Sequence, residues 1–184
     1  YIRLYALYHY GGIYLDSDVE VLKSFDDFLC LDDMICYENS SRKGLEVAVM
    51  GVSKNREWIK QCLDYYSDKV FDLGNGMLET KVMPEVVKDV LIANNWQPRD
   101  VISISEAVAV DASKEIAVFP YEFFSPKSYE TGELIITDKT YSIHHFAASW
   151  HGPKEKLYKF IGRIIGKQNA KKFADSIKKI LSKH

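Results

Sequence analysis

The chain has 184 residues, of which 47% are hydrophobic and 27% are charged, and its formal net charge at pH 7 is −2. This composition excludes a disordered chain, and the length is sufficient for one domain with a substantial core. No apolar run approaches the roughly 20 residues that a membrane-spanning helix needs, and we expect no nucleic-acid partner.

The charge is divided unevenly along the chain. Residues 154–184 carry a net charge of +8, whereas residues 1–153 carry −10. Apolar residues at helical spacing, flanked by lysines, predict amphipathic helices in this basic tail. Such helices suit either an anionic membrane surface or packing against the rest of the protein, with the lysines in solvent.

The cysteines and the first residues give two further expectations. Cys30, Cys36 and Cys62 form no CxxC motif, and an odd, unpatterned set predicts reduced thiols in a cytoplasmic protein. The sequence opens at Tyr1, inside a helix-like segment. We therefore expect it to be a piece of a longer protein whose N-terminal part lies outside this chain.

Helices and strands are expected to alternate along the chain, which predicts an α/β fold. The first helix covers residues 1–10 and ends at Gly11-Gly12, because glycines suit a helix C-terminus. Extended segments are expected at 13–15 and 19–22, followed by strands at 33–38 and 45–52. Helices are expected at 55–70 and 76–95, the second with a kink or late start at Pro84. Further extended segments at 100–110 and 116–126, a hairpin-like pair at 131–146 and helices in the tail complete the chain.

Asp16 and Asp18 directly follow the strand-like stretch "GIYL". Residues two apart in an extended segment point to the same side, so the two carboxylates would lie together. Like charges at that separation cost free energy unless a cation or protons offset them. The pair is therefore either a solvated acidic turn or the place where something positive binds.

Three kinds of known site place two aspartates two residues apart, as in the pattern around Asp16 and Asp18. A calcium loop is excluded, because position 6 of "DSDVEVLKSFDD" is Val21, where the loop needs Gly. A haloacid dehalogenase-like phosphatase is disfavoured, because those enzymes favour Thr or Val where Glu20 stands. A Mg²⁺ or Mn²⁺ site for a nucleotide-sugar diphosphate remains open, since these cations prefer oxygen ligands, and so does the solvated turn.

Two stretches carry a resemblance to a known family. The stretch "RLYALYHYGGIYLDSDVEVLKSFDDF" resembles the Asp-x-Asp sugar-binding region of family 32 glycosyltransferases, which include capsular-polysaccharide transferases and an initiating mannosyltransferase. The stretch "FFSPKSYETGELIITDKTYSIHHFAASW" is similar to the closing segment of that family, which has a His followed by Ser-Trp. The matching positions of the first stretch are Arg3, Leu7, Tyr8, Gly11, Gly12, Ile13, Tyr14, Leu15, Asp16 and Asp18.

The resemblance implies a nucleotide-diphospho-sugar transferase (GT-A-like) fold with a mixed central sheet, whose N-terminal strands are absent from this chain. Residues 1–153 would be the catalytic region and residues 154–184 the tail, with peripheral association at the inner membrane face. The implied activity is retaining transfer, of hexosyltransferase type, from a nucleotide-sugar donor to a saccharide or lipid-linked acceptor in polysaccharide or capsule biosynthesis. The alternative is a non-catalytic carbohydrate-binding relative.

The resemblance also implies roles for individual residues. Asp16 and Asp18 would be the catalytic pair and would bind Mn²⁺ or Mg²⁺. His144 would be the third metal ligand, with His145 as the fallback, because adjacent residues in an extended segment face opposite ways. A retaining transferase of this family needs no protein base, so none is assigned to Glu20, Glu79 or Asp111. The expected donor-binding residues are Arg3, Tyr14, Asp16, Ser149 and Trp150.

Overall fold

A mixed five-stranded sheet lies at the centre of the protein, in a computed structural model that describes residues 1–147. In chain order, the helices and strands are α1 (Ile2–Tyr10), β1 (Gly12–Leu15), β2 (Val19–Val21), β3 (Asp33–Cys36), β4 (Val49–Val52), α2 (Glu57–Asp64), β5 (Asp72–Gly74), β6 (Met77–Leu78), α3 (Met83–Ala93), β7 (Gln97–Asp100), α4 (Ile104–Val108), β8 (Glu115–Phe119) and β9 (Ser142–His144). Short 3₁₀ turns cover Asp26–Phe28 and Tyr121–Phe123.

The strand order in the central sheet is β1-β4-β3-β8-β7. Strand β4 runs antiparallel to its neighbours β1 and β3, whereas β8 runs parallel to β3 and β7. The expected α/β class with a mixed central sheet is therefore confirmed. The arrangement is compatible with the nucleotide-diphospho-sugar transferase fold that the resemblance implies.

Both faces of the sheet are covered, because all four residues of the central strand β3 are buried. Successive side chains of a strand point to opposite faces, and Ile35 accordingly joins a core formed with α1, α2 and α3 around Trp58. Its neighbour Met34 joins a second core on the other face, which is rich in phenylalanine and includes Phe28 and Phe119. Burial on both faces explains the apolar character of the central strands.

Contacts divide the chain into two units. Residues 1–127 and 135–145 form the first, which holds the central sheet, and residues 128–134 group with residues 146–147 in the second. In the second unit, a turn is closed by the hydrogen bond from Ser128 N–H to the Glu133 carbonyl (2.8 Å), and the rings of Tyr129 and Phe146 pack edge to face at 5.3 Å. The tail predicted at 154–184 lies outside the described residues, so its separation from residues 1–153 stays a prediction.

A kink or a late start is expected at Pro84 within residues 76–95, and the structure shows the late start. The helix begins at Met83, with Pro84 in its first turn, where its missing N–H costs nothing. Residues 72–78 form the hairpin β5–β6 instead, and Gly74 pairs with Met77 across it. The two linking residues, Asn75 and Gly76, both have positive φ angles (53° and 76°). Asn-Gly is the favoured pair for such a two-residue turn, and this local preference overrides the helical pattern.

The extended segment predicted at 100–110 is wrong, because residues 104–108 form helix α4. Ser103 caps this helix: its side-chain oxygen accepts a hydrogen bond from the Glu106 N–H, and the Glu106 carboxylate accepts one from the Ile102 N–H. This reciprocal arrangement resembles a capping box. It gives a partner to the Glu106 N–H, which the first turn leaves without a helical one, and to the Ile102 N–H just before the helix. The sequence "SISE" carried that signature.

The hairpin predicted within 131–146 is also wrong. Strand β9 pairs antiparallel with β2 instead, with Val19 opposite His144 and Val21 opposite Ser142. The turn region "DKT" is closed locally by Thr140, whose N–H donates to the Thr137 carbonyl. Within residues 1–147, no helix has the length and apolar character needed to cross a membrane.

Candidate functional site

Gly11 ends helix α1 and lets the chain turn into strand β1, which leads to the aspartate pair. The Gly11 N–H donates to the Leu7 carbonyl (2.9 Å), which ends the helix, and its φ of 69° lies in the left-handed region that glycine tolerates. A Cβ at this position would lie 2.8 Å from the backbone nitrogen of Lys54. The turn into β1 therefore requires glycine for both conformation and space.

Asp16 and Asp18 lie in a turn between β1 and β2, not in a continuous strand. The Asp16 N–H donates to the Ala48 carbonyl (2.8 Å), and the Val19 N–H donates back to the Asp16 carbonyl (3.0 Å). These two bonds anchor the turn to the edge of the central sheet. The carboxylates are brought together by this turn geometry, and the alternation of an extended strand is not what aligns them.

His144 reaches the aspartate pair from the far end of the described chain. Its position opposite Val19 in the β2–β9 ribbon places its Nε2 atom 3.5 Å from Asp18 Oδ1. One potential ligand atom each from Asp16, Asp18 and His144 lies within 4.8 Å of the others. These residues are the first, second and third metal ligands expected from the sequence.

His145 points elsewhere, as expected for the next residue of an extended segment. Its Nε2 atom lies 2.8 Å from Glu20 Oε2, in an exposed pair on the other side of the ribbon. Its backbone N–H donates to the Asp18 carbonyl (3.0 Å), so it supports the turn through the main chain. The structure thus brings His144 and not His145 to the two aspartates.

Arg3 and Tyr14 both converge on one oxygen of Asp16. Arg3 Nη2 lies 2.9 Å from Asp16 Oδ1, and the Tyr14 hydroxyl donates to the same atom at 2.6 Å. The guanidinium lies over the Tyr14 ring, 4.7 Å from its centroid, and also donates to the Val47 carbonyl. Burial and the hydrogen bond to Asp16 raise the pKa of Tyr14, which keeps the hydroxyl a donor.

Glu46 is the site residue that the sequence analysis missed. Its side chain is buried, with the residue only 4% exposed, and its Oε2 atom lies 3.2 Å from His144 Nδ1. Oε1 accepts from the Ala48 N–H (2.8 Å), and Oε2 also accepts from the Ser125 hydroxyl (2.9 Å). The available indication was a single acid in the apolar run "LEVAVMGV", because a buried carboxylate requires partners.

The pKa shifts follow from this arrangement. Burial alone would lower the pKa of His144, but the hydrogen bond and charge of Glu46, with the charges of Asp18 and Asp16, raise it. Burial would raise the pKa of Glu46, but hydrogen bonds, chiefly the one from His144, lower it. The two shifts are mutual, because each group favours the charged form of the other.

The donor set suits a divalent cation. Carboxylate oxygens are the ligands that Mg²⁺ and Mn²⁺ prefer, and an imidazole nitrogen extends the set toward Mn²⁺ and other transition metals. The imidazole also has a carboxylate behind it, as metal-binding histidines usually do. The residues present therefore fit the metal that the resemblance implies.

Two other acids considered from the sequence, Glu79 and Asp111, are not members of this group. The Glu79 N–H belongs to the β5–β6 hairpin, where it donates to the Phe71 carbonyl, and the Asp111 carboxylate accepts from Ser113. Ser149 and Trp150 lie outside the described residues, so their predicted contact with the donor stays a prediction.

Comparison with known proteins gives a family match over the first part of the chain. A family model described as "Glycosyltransferase sugar-binding region containing DXD motif" matches residues 1–40. The uncharacterized protein At4g19900 of Arabidopsis thaliana is 36% identical over 88 residues, which cover 44% of this chain and only 13% of that relative. No solved structure matches. The family match supports a glycosyltransferase-type function, and regions of this kind usually bind a divalent metal.

Proposed function

We propose that this protein is a metal-dependent, retaining glycosyltransferase of hexosyltransferase type. It would move a sugar from a nucleotide-sugar donor to a saccharide or lipid-linked acceptor in polysaccharide biosynthesis. The observation that carries the proposal is the convergence of Asp16, Asp18 and His144 within 4.8 Å. Asp16 and Asp18 lie in the stretch that matches a sugar-binding glycosyltransferase region, and His144 lies on the strand that pairs with it.

Asp18 and His144 would hold the cation, together with Asp16 either directly or through water. A bound Mn²⁺ or Mg²⁺ would supply Lewis-acid neutralisation of the diphosphate leaving group, which is worth several kcal/mol. Asp16 is kept in place by Arg3 and Tyr14, and we assign these two residues to the donor side of the site. The Arg3 guanidinium also offers the geometry that suits anionic phosphate oxygens.

The test is a donor screen with the complete protein. Nucleotide sugars are incubated with the protein in the presence of Mn²⁺, Mg²⁺ or EDTA, and the release of nucleotide and the anomeric configuration of the product are followed by NMR. We expect hydrolysis or transfer of at least one donor, loss of activity with EDTA, and recovery with Mn²⁺. Full turnover after exhaustive chelation would overturn the metal dependence, and donor binding without turnover would indicate the carbohydrate-binding alternative.

We also propose that residues 154–184, with their charge of +8, bring the protein to anionic membrane surfaces where lipid-linked acceptors are found. Each basic residue near such a surface contributes about 1 kcal/mol of attraction, and salt screens it. Deleting the residues after Pro153 should release the complete protein from anionic vesicles and leave hydrolysis of a soluble donor unchanged. Loss of hydrolysis on deletion would show that the tail supports the catalytic region instead.

A further inference from the structure

The carboxylate of Glu46 contacts His144, and the residues that follow Glu46 contact Arg3 and Asp16. It is buried beside the central sheet, and the donors that reach it are the Ala48 N–H, the Ser125 hydroxyl and His144 Nδ1. The first two are neutral donors and bring no counter-charge to the buried carboxylate. The third contact is with the residue that approaches Asp18.

The direction of that hydrogen bond follows from the chemistry of the acceptor. An ionised carboxylate offers only lone pairs, so Nδ1 of His144 must carry the hydrogen and donate it to Glu46 Oε2. In the neutral imidazole the other nitrogen, Nε2, then holds a lone pair. Nε2 is the atom that lies 3.5 Å from Asp18 Oδ1. The bond to Glu46 thus leaves the metal-facing nitrogen in the form that can ligate.

The backbone around Glu46 positions the aspartate side of the site as well. The Val47 carbonyl accepts a hydrogen bond from Arg3, and the Ala48 carbonyl accepts one from the Asp16 N–H. Glu46 itself is held by its own N–H, which donates to the Cys36 carbonyl of β3 (2.9 Å). Three consecutive residues therefore fix His144 by a side chain, and Arg3 and Asp16 by their carbonyls.

We infer that Glu46 is a positioning residue that sets the tautomer and ring orientation of His144 for binding a divalent cation. The orientation of His144 by Glu46 stands by itself, whereas the binding of a cation by His144 rests on the proposed function. Carboxylates that orient a ligating histidine in this way typically change metal affinity by about 10–100-fold when they are removed.

Glu46→Gln tests the inference because it changes one atom while keeping the size of the side chain. If the amide oxygen accepts from the Ala48 N–H, the amide NH₂ faces His144 Nδ1 and donates to it, which moves the ring hydrogen to Nε2. In the reverse orientation the NH₂ group would meet the Ala48 N–H, donor against donor. The variant should therefore favour the tautomer that cannot ligate.

Two readouts follow. Long-range ¹H–¹⁵N NMR of the metal-free chain, at a pH above the titration of the imidazole, reports which ring nitrogen of His144 carries the hydrogen. Titration with Mn²⁺, followed by electron paramagnetic resonance, reports affinity. We expect the Nδ1–H tautomer in the wild-type chain, a shift toward Nε2–H in Glu46→Gln, and about 10–100-fold weaker Mn²⁺ binding in the variant.

Glu20→Gln is the matched control, since it alters the other glutamate–histidine pair of the ribbon. It should affect the signals of His145, while the tautomer of His144 and the affinity for Mn²⁺ remain as in the wild type. An equal loss of affinity in both variants would overturn the inference, because it would reflect lost negative charge and not orientation.

The outcomes separate this inference from the proposed function. Wild-type His144 with its hydrogen on Nε2 overturns the inference even if Glu46→Gln fails to fold. Unchanged tautomer and affinity in Glu46→Gln overturn it while leaving the metal site standing. A third outcome is that the tautomer differs between the wild type and Glu46→Gln as expected, but the wild-type chain binds no Mn²⁺. That outcome supports the positioning role and overturns the metal-dependent function.

Discussion

Val19 and His144 are directly opposite each other in the β2–β9 ribbon, and this register places His144 beside Asp18. A shift of one residue would exchange His144 for Ile143 or His145 at the aspartates, because the side-chain period of a strand is two. Ser142 and Ile143 of β9 are both buried, so a shift of the ribbon would displace packed side chains. Their burial therefore favours the register on which the candidate site depends.

Asp18→Asn should abolish Mn²⁺ binding and lower sugar transfer by at least about 100-fold, because the loss of a charged metal ligand forfeits several kcal/mol of leaving-group stabilisation. The side chain is partly exposed and not part of either core, so the melting temperature in the absence of metal should change little. Isothermal titration with Mn²⁺ and a donor-hydrolysis assay check the two effects. A variant that melts normally and transfers at the wild-type rate would contradict the metal site.

His144→Ala should weaken Mn²⁺ binding by about tenfold or more, whereas His145→Ala should leave it nearly unchanged. The alanine at position 145 keeps the backbone N–H that donates to the Asp18 carbonyl, and it loses only the exposed contact with Glu20. The two variants are adjacent and chemically identical, so each controls for the other. Equal effects, or a larger effect at position 145, would move the ligand role to His145.

Asp33→Ala should destabilise the fold by about 3–5 kcal/mol, because it leaves a buried guanidinium without its counter-charge. Asp33 is 3% exposed and accepts hydrogen bonds from Arg56 Nε at 3.0 Å and from Trp58 Nε1 at 2.8 Å. Urea unfolding measures the loss. Lys60→Ala, which breaks the exposed pair with Asp64 on α2, is the control and should produce a much smaller change.

Cys30 should be the one cysteine that reacts with Ellman's reagent in the native chain, and all three should react in guanidinium. Cys30 is exposed, whereas Cys36 and Cys62 are buried. Burial raises the pKa of Cys62 to about 12 and that of Cys36 well above its ordinary value. The thiolate is the reactive form, so both buried thiols lack accessibility and ionisation alike. Two or more fast-reacting thiols at neutral pH would contradict the packing of β3 or α2.

The sequence was sufficient wherever a local preference decided the outcome. Gly11-Gly12 ends α1 as expected, and "GIYL" forms β1 immediately before the aspartate turn. Two of the segments that differ from expectation also carry local indications, Asn75-Gly76 for the β5–β6 hairpin and Ser103 with Glu106 for α4. In both segments, turn and capping chemistry outweighs the hydrophobic pattern in setting the local structure.

What could not be predicted depends on contacts between distant parts of the chain. The partner of β9 is β2 and not the neighbouring residues 131–137, and no local pattern specifies that choice. Glu46 lies far in sequence from both His144 and Ser125, so its role depends on the way that β3, β4 and β9 meet. A lone acid in an apolar run indicates burial, but it does not identify the partner.

The β2–β9 pairing also makes the candidate site a late product of folding. Arg3, Tyr14, Asp16 and Asp18 can approach one another within a short stretch, whereas His144 joins them only after almost the whole described chain has closed into a loop. Loop closure costs conformational entropy before any contact rewards it. A growing chain that had reached only β8 would hold the acidic turn but not the imidazole. A cation that binds all three groups would favour the closed chain by mass action, so that Mn²⁺ should further stabilise the β2–β9 pairing.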